Sequence, residues 1–274
     1  MFYYLILPYY VIPNNYLVVI LLTLLYNWIK LLNKIIIENG GNMSNTVEEI
    51  NNYNDFINAL LKVGMSTGGE KNSDGVFALC DYYGKSVQWH TEDMDTDPWE
   101  WRIRVLDERN DIAYSKLFFK KSGFITADWY PYFYAVRRGV KSFEEEYYDG
   151  NISFYAKRIY ELISSEDTLP LHIIKQLGNF TKEDKTKFNN AITELQMKMY
   201  ITMCGRSKKY SKTGQEYGWS STTFCKTENF FNKEIFEKAY SLSEEEAYEK
   251  LYTHIHELNP NADIKKIDKF IFGK

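Results

Sequence analysis

Cysteine is scarce in this chain, with three in 274 residues. Cys80, Cys204 and Cys225 contain no CxxC pair, so neither a disulfide framework nor a zinc site of that spacing is expected. Reduced thiols in the cytoplasm are the plain reading. Histidine is nearly as sparse, at four. His90 and His172 stand alone, and His254 and His256 are two apart, which on a helix points them to different sides. No metal and no cofactor is expected. Gly64, Gly68, Gly69 and Gly75 match neither a P-loop nor a dinucleotide fingerprint, and no Gly-Lys-Ser/Thr follows, which argues against a phosphate cradle. One-sign charge is lacking too: a net charge of −4 argues against a polybasic coat. Locally, however, residues 175–226 are basic, and residues 143–167, with Glu144, Glu145, Glu146 and Asp149, are acidic.

What is present is a 45% hydrophobic content over a length that suits one large or two ordinary domains. Residues 1–42 differ from the rest. Residues 16–29 are nearly all apolar, Lys30 and Lys34 interrupt the continuation, and Pro8 and Pro13 break the opening. The run is at the short end of the roughly 17 to 25 residues that cross a bilayer. It reads as a membrane anchor or, preferably, as upstream DNA translated before the true start. Gly40-Gly41-Asn42-Met43 can be encoded by a purine-rich ribosome-binding sequence ahead of an ATG. Met43 then begins a soluble, cytoplasmic protein, with residues 43–150 as an α+β domain.

Residues 153–224 carry the strongest pattern. Tyr155, Ile159, Leu162 and Ile163 form one helical stripe. Thr168 and Pro170 open a short second helix with Ile173, Ile174 and Leu177, and Gly178 is placed to supply a left-handed end. Thr181 with Asp184 resembles a capping box that starts a third helix. Phe188, Ala191, Ile192, Leu195 and Met199 form its apolar side, and Lys182, Thr186, Asn189, Asn190, Thr193 and Gln196 the other. The polar side is open to two readings: a plain solvated face, or Asn and Gln amides presented to adenine edges in a major groove. Residues 200–204 and 216–224 read as strands. Between them lies a basic turn with Arg206, Lys208, Lys209, Lys212 and Gly214, whose cations suit phosphates. Cys204 and Cys225 come near each other across this hairpin, with no His or Asp placed in sequence to activate either thiol. The order is that of a winged helix-turn-helix over residues 151–226.

Elsewhere, Ile50, Tyr53, Phe56, Ile57, Leu60 and Leu61 predict an amphipathic helix stopping at Gly64. Residues 98–109 give two signals. Pro98 after Asp97 opens a helix, whereas Trp99, Trp101, Ile103 and Val105 alternate as in a strand. Their charges either form an ion-pair network or line a polar cleft with Asp107, Glu108 and Asp111 as candidate acids or bases. The aromatic run 129–134 beside Arg137 and Arg138 suits a core with one wet edge, or a surface that stacks bases or binds a ligand. Residues 227–274 predict two C-terminal helices broken at Asn259-Pro260-Asn261.

Taken together, Trp99-Glu100-Trp101-Arg102, Ile112-Ala113-Tyr114, Phe124-Ile125, Arg137-Arg138, Glu194-Leu195-Gln196, Gly205-Arg206 and Tyr217-Gly218-Trp219 resemble the AlkZ-related branch of the winged-helix family that contains the AlkZ/YcaQ-type DNA glycosylases. The resemblance covers most of residues 43–274. It implies winged-helix modules in a largely helical α+β protein that holds duplex DNA. In the glycosylases it also implies excision of alkylated or crosslinked bases without a metal. Those enzymes carry a Gln-x-Gln or Gln-x-Asp motif, and here Gln88 is followed by Trp89-His90 and Gln196 by Met197-Lys198. The expectation is a DNA-binding protein that lacks the catalytic Gln pair. The alternatives are a glycosylase using Glu108, Asp107 or Asp111, and a protein- or ligand-binding module.

Overall fold

The computed structural model describes residues 47–211 and 213–274; the readings made for residues 1–42 and for Lys212 lie outside them. Helix α1 (Tyr53–Val63) starts on Asn52, whose side chain accepts from the Asp55 N–H. It stops at Gly64, where φ is +82° and an added Cβ would lie 1.9 Å from the Trp129 ring. Only glycine meets both demands. Strand β1 (Met65–Thr67) and a 3₁₀ turn (Leu79–Tyr82) follow.

Residues 98–108 are a helix, α2 (Pro98–Glu108). The buried Asp97 carboxylate accepts from the Trp99, Thr91 and Glu92 N–H groups at 2.8, 2.8 and 3.1 Å. That cap, with Pro98 at the first position, outweighs the alternating apolar pattern. Trp101 and Val105 are buried four residues apart, whereas Trp99 is exposed.

Strands β2 (Ile112–Phe118) and β3 (Lys121–Thr126) lead to α3 (Tyr130–Arg137), α4 (Phe143–Tyr148) and α5 (Phe154–Ser164). Next come β4 (Leu169–Pro170), α6 (Leu171–Leu177) and α7 (Lys185–Met197). The chain ends with β5 (Ile201–Ser207), β6 (Ser221–Lys226), α8 (Thr227–Phe230), α9 (Lys233–Tyr240), α10 (Glu244–Leu258) and α11 (Ile264–Phe272).

The architecture is mixed α/β. Instead of forming small separate hairpins, the strands join one antiparallel sheet in the order β1-β3-β2-β5-β6-β4. Alternation along β2 feeds two cores: Ala113 and Leu117 pack with α3 and the C-terminal helices, and Ile112 and Tyr114 pack with α1 and α2. A third core joins α4, α5, α6 and α7 to β5 and β6. The aromatic run 129–134 belongs to the first core: Tyr130, Phe133 and Tyr134 are buried against Phe231, Phe236 and Phe270. A base-stacking or ligand surface there is therefore replaced by packing. Among the described residues, no helix is long and apolar enough to cross a membrane.

Arg137 ties these layers together. Its guanidinium donates to the carbonyls of Leu117 on β2, Met197 at the end of α7, and Phe270 and Ile271 on α11, at 2.7–3.1 Å. Burial pushes its pKa down to about 9, so it stays charged at neutral pH. The carbonyls at two helix C-termini are otherwise orphaned, and a cation complements both dipoles. Arg138 instead pairs with Glu228 and lies over the Tyr200 ring.

Arg137→Met should cost about 3 kcal/mol or more in urea denaturation, because several enclosed carbonyls lose a charged donor; a loss below about 1 kcal/mol would contradict the clamp. A second expectation concerns pH. His254 stacks on Trp129 at 3.9 Å and its Nε2–H donates to the Val63 carbonyl at 2.8 Å; burial lowers its pKa. Below about pH 6.5 the unfolded chain takes up that proton more readily than the folded one. Stability should therefore fall as pH drops from 7.5 to 5.5, and fall less in His254→Gln. Equal slopes would contradict this.

Candidate nucleic-acid interface

Helix α5 starts on Ser153, whose hydroxyl accepts from the Ala156 N–H. The Glu194 carboxylate of α7 accepts from the Ser153 N–H at 2.9 Å and from its hydroxyl at 2.6 Å. An anion at a helix N-terminus is favourable, and here it fixes α7 across α5. At the other end of α7, the Tyr155 hydroxyl donates to Asp184 at 2.6 Å. Asp184 also accepts from the Thr181 N–H and hydroxyl. Half of the expected capping box is present: the Thr181 hydroxyl donates to the carboxylate instead of accepting from the first turn. The turn before it also differs from expectation. Gly178 has φ −81° and Asn179 takes the left-handed conformation at +50°. Gly178 is needed for space, since a Cβ would lie 2.2 Å from the Phe180 ring.

With Phe188, Ala191, Ile192 and Leu195 buried, α7 leaves Lys185, Thr186, Lys187, Asn189 and Asn190 exposed, and Lys182 is exposed just before it. Thr193 is half-buried and its hydroxyl donates to the Asn189 carbonyl at 2.8 Å. Gln196 does not belong to this face. It is fully buried, its Oε1 accepting from the Lys116 N–H at 3.0 Å and its Nε2 donating to the Ile192 carbonyl at 2.8 Å. On β2 the pairing with β5 is confined to Tyr114 opposite Met203, so beyond it the Lys116 N–H needs a side-chain acceptor.

Strand β4 pairs with β6, placing Leu169 opposite Phe224, and β5 pairs with β6. Between β5 and β6 the chain narrows through a Tyr210–Glu216 bridge to Gly214 at φ +79°. Two of the expected phosphate-binding cations have carboxylate partners: Arg206 meets Asp107 of α2 at 3.1 Å, and Lys208 meets Glu216 at 2.8 Å. Both pairs are exposed, so each contributes little and can exchange for other anions. Lys209 is half-buried near His172 on α6, and burial followed by this ammonium lowers the His172 pKa. Arg206 thus reaches α2, Lys209 lies near α6, and Lys208 is paired within the hairpin.

Sequence reasoning missed the aromatic side chains of this hairpin. Tyr210, Tyr217 and Trp219 are exposed, Trp219 at 90%. Tyr217 and Trp219 were expected inside a strand, but β6 begins only at Ser221. Gly218, at φ +65°, is the sequence signal that the strand had not yet begun.

The three candidate acids lie on or just after α2. Asp107 pairs with Arg206, Glu108 with Arg104 at 3.0 Å, and Asp111 with Arg109 through two bonds at 2.7 and 2.5 Å. Arg104 also lies 3.8 Å over the Tyr53 ring, and burial raises the Tyr53 pKa to about 12. The three carboxylates are brought close in sequence, yet each faces its own guanidinium at a wet surface. Among the described residues, no group of three or more His, Cys, Asp or Glu side chains is arranged to hold a metal ion.

A family model described as AlkZ related matches residues 50–272. The chain belongs to the AlkZ-related family. No curated protein and no solved structure matches it. AlkZ-related membership suggests a DNA glycosylase-like or DNA-binding function with DNA as the partner. Gln88 is exposed in a loop, and Gln196 is enclosed.

Gln196→Leu leaves the Lys116 N–H without its acceptor, so it should destabilise the fold by about 1–3 kcal/mol in urea. At temperatures where the variant is folded, its affinity for duplex DNA should equal that of the parent. A stable variant with weakened DNA affinity would return Gln196 to the interface.

Proposed function

We propose that this AlkZ-related protein binds duplex DNA through a winged helix-turn-helix formed by residues 151–226, with α7 as the groove-facing helix and the β5–β6 hairpin as the wing. The observation that carries this reading is the order α5, β4, α6, α7, β5, β6 with β4 paired to the far strand of the hairpin. An exposed Lys185, Thr186, Asn189 and Asn190 on the third helix supports it. Asparagine amides offer the paired donor and acceptor that adenine requires in the major groove. Lys182, Lys185, Arg206, Lys208 and Lys209 are the proposed phosphate contacts, which position the protein without reading sequence. Exposed Arg206–Asp107 and Lys208–Glu216 pairs are weak enough to open toward phosphate.

Base excision by Glu108, Asp107 or Asp111 has less support. General acid–base chemistry favours a carboxyl in a dry cleft whose proton affinity is tuned to the reaction. These three carboxylates are each neutralised by an arginine in partly exposed positions.

Anisotropy titrations of a fluorescent duplex of about 20 base pairs test the proposal. Affinity should fall steeply with salt, and Lys208→Ala with Lys209→Ala should weaken binding about tenfold and flatten the salt slope by about one to two. Asn189→Ala with Asn190→Ala should cost about 1–3 kcal/mol on a preferred sequence and little elsewhere. Parental affinity in all four substitutions combined, in a protein with unchanged urea stability, would overturn the assignment.

A further inference from the structure

The two cysteines of the hairpin strands share a cavity that the DNA-binding reading does not use. Thr202 lies opposite Cys225, Met203 opposite Phe224, and Gly205 opposite Thr223. The register shift between Met203 and Gly205 therefore leaves Cys204 without a cross-strand partner, diagonal to Cys225. Both thiols line one open cavity of about 420 Å³, together with Asp167, Thr168, Asn229 and Phe230. Cys204 is half-buried and Cys225 is buried. Each thiol shifts the other: Cys225 beside it holds the Cys204 pKa below its ordinary value, and Cys204 together with burial raises that of Cys225. This is the asymmetry of an attacking and a resolving cysteine. Cys80, the third cysteine, is on the 3₁₀ turn with its pKa raised to about 11 by burial and by Asp81.

We propose that Cys204 and Cys225 form a reversible dithiol–disulfide site whose oxidant is a hydroperoxide entering through the shared cavity. The Cys204 thiolate attacks one peroxide oxygen and breaks the O–O bond, giving a sulfenic acid and hydroxide, which takes up the proton that Cys204 released. The Cys225 sulfur then attacks the Cys204 sulfur and expels the hydroxyl, which leaves as water with the Cys225 proton. Two thiols are oxidised by two electrons, and one hydrogen peroxide is reduced to two waters. The bond links β5 to β6 beneath the hairpin tip and pins the shifted register. A thiol reductant reverses it by exchange.

Mass spectrometry of the full chain tests this directly. The reduced protein is treated with a small excess of hydrogen peroxide, then unfolded, alkylated and digested without reductant. The expected product is a monomer that has lost two hydrogens, contains one Cys204–Cys225 linked peptide, regains both thiols with dithiothreitol and keeps Cys80 alkylated throughout. Cys204→Ser should leave both remaining thiols free after the same exposure. Three free thiols in the parent, sulfinic acid at Cys204 without the linked peptide, or linkage through Cys80 would each overturn the proposal. The outcome is independent of whether the hairpin touches DNA.

Discussion

A single guanidinium holds the principal elements in register. Arg137 leaves α3 and donates to backbone carbonyls of β2, α7 and α11, so its charge is balanced by helix ends instead of a carboxylate. The geometry is tight enough that Gly273 is required beside it: a Cβ there would lie 2.9 Å from the Met197 carbonyl oxygen and 3.0 Å from the Arg137 guanidinium carbon. Five fixed N–H donors on a planar group explain why arginine rather than lysine suits the position. What the clamp fixes is the last turn of α7, and thus which side of that helix remains outside.

From that constraint the surface follows. Gln196 and Leu195 face inward against β2 and β5, Glu194 is engaged by the α5 cap, and the first two turns of α7 carry the exposed lysines and asparagines. The β5–β6 hairpin extends from the same sheet with cations whose partners are wet and exchangeable. Rigidity lies in the clamp and the sheet, and adaptability in the hairpin. A protein that grips a charged duplex uses both, because the backbone contacts position while the rigid helix reads.

Local signals in the sequence were legible where one physical effect dominated. Gly64 ends α1, the stripe Tyr155, Ile159, Leu162 and Ile163 is on α5, and the Asn259 break between α10 and α11 is as expected. Helix or strand could not be decided over residues 98–108, because the outcome depended on Asp97 collecting three N–H groups, one of them its own cap and two from a loop that folds back. Gln196 looked like a surface amide since helical spacing cannot reveal a strand N–H left without a strand acceptor eighty residues away. Likewise, Tyr217 and Trp219 have strand-like chemistry, and only the late start of β6 leaves them in solvent.

The central claim is that the face of α7 left exposed by the Arg137 clamp, together with the hairpin, contacts duplex DNA. Hydrogen–deuterium exchange with and without a duplex tests it most directly, since backbone protection maps the contact without altering a side chain. The account predicts protection confined to residues 182–193 and 206–217, growing weaker as salt rises. Protection centred instead on residues 98–111, or none at a DNA concentration that saturates binding, would contradict it.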